Sequence, residues 1–104
     1  KVLGQLNPSA TTDSNLYTVP NSTSTVVSTI SVCNQEGSAG TFRIAIRPSG
    51  ATLAAQHYIY YDAPIAANDG IAVTIGITLA ATDVITVYAS SANMSFSAFG
   101  SEIS

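Results

Sequence analysis

A chain of 104 residues fits a single domain. It is 46% hydrophobic but only 9% charged, where about 25% is usual, and its net charge is −3. Its three basic residues, Lys1, Arg43 and Arg47, cannot form the stripe that releases counterions from nucleic acid, and no apolar run approaches the ~20 residues of a membrane span.

Residues 1–15 lack sustained alternation and carry Pro8 among turn formers. Val2, Leu3 and Leu6 would be wasted on a free tail, so this stretch reads as an N-terminal arm that packs on its own domain or on a neighbour. No signal peptide is visible, and the start at Lys1 rather than Met fits either a trimmed N-terminus or one that begins upstream of these residues. Strands then follow in quick succession. Leu16 to Val19 is short and stops at Pro20. Thr25 to Cys33 sets Val26, Ser28, Ile30 and Val32 on one face, with Cys33 beside Val27, Thr29 and Ser31 on the other. Gln35 to Gly40 makes a hairpin connection. Thr41 to Arg47 points Phe42, Ile44 and Ile46 inward and Thr41, Arg43, Ala45 and Arg47 outward.

Residues 51–55 can form one helical turn, too short to stand alone. In the aromatic strand Gln56 to Asp62, strict alternation puts Tyr58 and Tyr60 on one face and His57, Ile59 and Tyr61 on the other. Asn68-Asp69-Gly70 is a turn. Ile71 to Leu79 then places a large aliphatic at every odd position and Ala72, Thr74, Gly76 and Thr78 between them. Val84 to Ala89 and Met94 to Phe99 close the series. Seven to eight short strands, with no helix to cross over between parallel strands, predict an all-β antiparallel β-sandwich of jelly-roll type over residues 16–104, preceded by the arm.

Reactive groups are sparse. One His and one Cys cannot build a closed zinc site, and no nucleophile elbow or phosphate loop is present. His57 and Asp62, five apart on a strand, fall on opposite faces, so an enzyme is not expected, nor a cofactor or metal. Asp62, Asn68, Asp69 and Asp83 sit singly in turns, where Asp and Asn serve the backbone. Cys33 reads as a buried or half-buried structural thiol. Ser, Thr, Asn and Ala stand where Lys and Glu would normally solvate the surface. Such a surface suits a virion-type or extracellular protein, or one largely covered by neighbours, because charge is depleted at interface cores. Candidate interface residues are Val2, Leu3, Leu6, Arg43, Arg47, Tyr58 and Tyr60, the two tyrosines being able to stack on a subunit or on a sugar.

Several segments together resemble a family of small virion proteins of tailed bacteriophages, notably phages of cyanobacteria. They are Leu16-Tyr17-Thr18-Val19-Pro20, Val26 to Asn34, Thr41 to Pro48, His57 to Asp62, Ile75 to Leu79 and Ser95 to Glu102. The resemblance covers nearly the whole chain, yet its motifs are strand patterns and name no active site. It implies a non-enzymatic particle component. The first expectation is a capsid decoration (cement) protein on the virion surface, a homo-oligomer (trimer first) held against the major capsid protein. The second is a tail, baseplate or fibre component that touches a virion partner or a host glycan.

Overall fold

The computed structural model describes residues 1–103. They form eight strands: β1 (Val2–Leu6), β2 (Ser14–Thr18), β3 (Ser24–Asn34), β4 (Gly40–Arg47), β5 (Tyr58–Ile65), β6 (Gly70–Leu79), β7 (Val84–Ala89) and β8 (Met94–Ile103). The pairing is nested: β1 with β8, β2 with β7, β3 with β6 and β4 with β5, every pair antiparallel. That is one long ribbon folded back on itself. Rolling it up adds the β3–β8 and β4–β7 ladders and yields two four-stranded sheets, β1-β8-β3-β6 and β2-β7-β4-β5. The result is an eight-stranded jelly-roll sandwich.

The inner faces meet around Phe42 of β4 and Phe96 of β8, both fully buried, with ring centroids 6.3 Å apart and nearly edge-to-face. Ile30, Ile44, Ile85 and Met94 fill the space about them. Phe42 and Ile44 point inward as their alternation predicts, and the odd-numbered aliphatics of β6 face the core. Val73 and Leu79 are buried there, while Ile71, Ile75 and Ile77 are half-covered, because β6 is an edge strand.

Three sequence expectations change. Val2 to Leu6 is no arm but the edge strand β1, whose Leu3 and Leu6 pack on the core, and β2 already begins at Ser14. The single helical turn at 51–55 is replaced by two 3₁₀ turns, Pro48–Gly50 and Ala55–His57. The face assignment of β3 holds only for its second half. A bulge at Ser28 separates the pairs Val27–Gly100 and Thr29–Phe99, so the buried set is Thr25, Val27, then Ile30, Val32 and Asn34. One extra residue shifts a period-2 pattern by half a cycle. Val26 is therefore exposed, and Cys33 is an exposed free thiol rather than a buried one. Ser28 Oγ donates to the Phe99 carbonyl at 3.1 Å, recovering a hydrogen bond where the ladder is broken. Across from the bulge stands Gly100, where any Cβ would collide with the Val26 carbonyl.

The loops at one end are fastened by a buried amide. Asn34 Nδ2 donates to the Ser38 and Ala66 carbonyls, each at 3.1 Å, and its Oδ1 accepts from the Glu36 backbone N–H at 3.0 Å. At the other end Asp83 accepts from the backbone N–H groups of Ser49 and Ala80, both at 2.8 Å. Asp69 accepts from the N–H of Gly70. These carboxylates and amides are occupied by backbone, as turn residues usually are.

Candidate functional site

The outer face of the sheet β2-β7-β4-β5 carries the molecule's concentration of aromatic and charged side chains. Arg43 on β4 lies directly opposite Tyr88 on β7 in the ladder. Its guanidinium is held between two rings, 4.1 Å from the centroid of Tyr88 and 4.1 Å from that of Tyr61 on β5. Nε donates to Asp62 Oδ1 at 2.7 Å and Nη2 to Oδ2 at 3.4 Å. The bonded carboxylate raises the guanidinium's pKa further, so Arg43 carries a permanent charge.

Strand β5 is irregular, and that brings these groups together. Its pairing with β4 steps from Phe42–Ala63 to Ile44–Tyr60 and then to Ala45–Tyr58, with an extra β5 residue at each step. Asp62 occupies the first irregularity with φ 50°, a left-handed conformation that Asp tolerates better than most residues. Two bulges close together break the alternation. Tyr60 turns toward the core edge, its ring 6.1 Å from that of Phe42, while Tyr58 and Tyr61 share the outer face. The expected pair Tyr58 and Tyr60 is thus replaced by Tyr58 and Tyr61, whose rings stand nearly perpendicular at 86° with centroids 4.9 Å apart.

Beside this stack, Tyr58 and Tyr61 together with Asp13, Leu53, Ala54 and Ala55 line a recess of about 710 Å³. One wall is shaped by the 3₁₀ turn, where the backbone N–H of Ala54 donates to His57 Nδ1 at 3.0 Å. His57 is committed to that turn, and the partner of Asp62 is Arg43. The Asp13 carboxylate engages no hydrogen bond or ion pair among the described residues.

The remaining candidate interface residues do not join this site. Arg47, at the far end of β4, is consumed internally: its guanidinium donates to Thr86 Oγ1 (2.9 Å), Asn15 Oδ1 (2.9 Å) and the Gly50 and Ala51 carbonyls (3.4 and 3.0 Å). Leu3 and Leu6 serve the core, and Val2 is half-exposed on the other sheet. Sequence reasoning missed Tyr61, Tyr88, Asp13 and the stacking role of Arg43. Nothing in the alternation shows a bulge.

The outer face of β1-β8-β3-β6 is built differently. Its outward positions carry Val26, Ser28, Ser31 and Cys33 on β3, Ala72, Thr74, Gly76 and Thr78 on β6, and Ser95, Ser97, Phe99 and Ser101 on β8. None is charged. Glu102 instead reaches toward the sandwich interior end, where Tyr17 Oη donates to its Oε2 at 2.6 Å and Lys1 Nζ lies 2.6 Å from Oε1.

Fold and site together define an all-β jelly-roll sandwich with one bare, neutral face and one face bearing a tyrosine-lined recess. Compared with family models, with curated proteins and with solved structures, the chain matches none.

Proposed function

We propose that this protein is a non-enzymatic structural component of a bacteriophage virion, a capsid decoration protein that works by being packed against copies of itself and against the major capsid protein. The observation that carries this reading is the uncharged outer face of β1-β8-β3-β6. Four strands at about 4.8 Å spacing and ~3.3 Å per residue give it a footprint of about 600 Å². That approaches the ~800 Å² per partner of a standard interface. With no charge to desolvate, two such faces or one face and a shell protein meet without repulsion or an orphaned ion. The strand-pattern resemblance to phage virion proteins points the same way, and a trimer is the first oligomer to seek.

A tail, baseplate or fibre component is the second reading, favoured by the tyrosine recess on the opposite face. Electron microscopy of the intact particle with this protein labelled separates the two. Label over the capsid surface is expected. Label confined to the tail replaces the first reading with the second, and particles without label remove both.

A further inference from the structure

We propose that the recess beside Tyr58 and Tyr61 is a binding site for a neutral saccharide. Its volume, about 710 Å³, lies within the ~300–1,000 Å³ usual for small-molecule sites, and its lining mixes aromatic, small apolar and acidic groups. The two rings offer perpendicular apolar surfaces, and the Arg43–Asp62 pair pressed against Tyr61 fixes one of them before any ligand arrives. The Asp13 carboxylate has no partner among the described residues and can accept hydroxyl hydrogen bonds, which are strong when the acceptor is ionised.

Other ligand classes fit these residues less well. An organic cation would have to share the Tyr61 ring with the permanent charge of Arg43, 4.1 Å from its centroid, and be repelled by it. An anion would meet Asp13 within the recess and Asp62 next to it. A purely apolar ligand would strip water from the Asp13 carboxylate and give nothing back. A pyranose satisfies all three constraints: its C–H face lies on a tyrosine ring, its hydroxyls reach the carboxylate, and it carries no charge.

The test is two-dimensional NMR of the ¹⁵N-labelled protein titrated with neutral hexose oligosaccharides (glucan, mannan and galactan tetrasaccharides), with tetramethylammonium chloride and sialyllactose as charged probes. At least one neutral oligosaccharide should shift the amides of residues 53–61 saturably in the millimolar range or below. Tyr61→Ala and Asp13→Asn should each weaken that binding tenfold or more, Asp13→Asn with the melting temperature unchanged and Tyr61→Ala with a fall no larger than that of Arg43→Ala. Both side chains are exposed, so both variants should fold. Saturable binding of tetramethylammonium or sialyllactose in place of the neutral sugars overturns the proposal. So does silence of every neutral oligosaccharide, or affinity that survives both substitutions. None of these outcomes depends on where the protein sits in a particle.

Discussion

The two outer faces of this sandwich solve the same problem in opposite ways. On β2-β7-β4-β5, long side chains roof their own sheet. Ala45 and Thr86 point outward in the ladder yet are 0% and 4% exposed, because Arg47, Asn15 and their neighbours lie over them. Arg43 and Arg47 both have partners within the chain. On β1-β8-β3-β6 the outward residues are uncharged and, apart from Phe99 and Gln5, mostly short, and Val26 and Cys33 are exposed amid serines and threonines. A face that covers itself leaves only a local recess, while a bare neutral face can lie against another surface without burying an unpaired charge. The contrast lies in side-chain length and charge, since both sheets have four antiparallel strands.

The largest effect should come from below both faces. Phe42→Ala removes a fully buried ring that touches Phe96 and Tyr60, and we expect a loss of ~3–5 kcal/mol in denaturant unfolding. Equal midpoints for wild type and variant would mean that the inner and outer faces have been exchanged. Arg47→Ala comes next. It removes the donor that Thr86 Oγ1, Asn15 Oδ1 and the Gly50 and Ala51 carbonyls share. Only Thr86 among these is buried and it keeps its bond to Asn15, so the loss should be about 1 kcal/mol. The alternation alone places Arg47 outward, where substitutions usually matter little, so a change under ~0.5 kcal/mol would support that simpler view of an outward arginine.

Arg43→Ala should lose less than Arg47→Ala, because its stacked rings and its ion pair with Asp62 are partly in water. Arg43→Lys should recover only part of this, since an ammonium lacks the flat surface that stacks between two rings. Full recovery by Lys would reduce the site to a plain charge pair.

Acid should act at the end of β8 rather than on either face. Hydrogen bonds from Lys1 and then Tyr17 hold the Glu102 carboxyl below its ordinary pKa of 4.5. A folded value below the unfolded one gives stability that is complete above pH 4.5 and is lost as pH falls through the folded value. Melting temperature should therefore decline below pH 4.5, and Glu102→Gln should flatten that part of the profile. An unchanged slope in the variant would assign the acid sensitivity elsewhere.

The smallest effect on the monomer should accompany the most telling one on assembly. Thr74→Lys puts a charge in the bare face at an exposed position, and monomer stability should stay within ~0.5 kcal/mol. Self-association by sedimentation, and rebinding to phage heads stripped of the protein, should fall sharply with Thr74→Lys but not with Arg43→Ala. Loss with Arg43→Ala instead would transfer the docking role to the tyrosine face.

Strand content and the inward faces of β4 and β6 were readable because period-2 alternation is a local property, and Phe42 and Val73 lie where that period puts them. The neutrality of one outer face was half visible in Ala72, Thr74, Gly76 and Thr78. Its full extent required knowing that β3 and β8 lie alongside β6. The functional site was the least legible part, since Tyr58, Tyr61, Arg43 and Tyr88 come from three strands and Asp13 from a fourth segment.

By itself the sequence determined an antiparallel β-sandwich, poor in charge and in catalytic groups, because alternation and composition act residue by residue. Only the tertiary structure decided that residues 2–6 are an edge strand, that Val26 faces outward and that Tyr61 rather than Tyr60 stands beside Tyr58. Each of those outcomes turns on a partner distant in sequence: β8 for residues 2–6, the β3 bulge opposite Gly100 for Val26, and the two slips of β5 against β4 for the tyrosines. A bulge is set by the ladder in which it sits, so a pattern read along one strand carries its face assignment only as far as the next bulge.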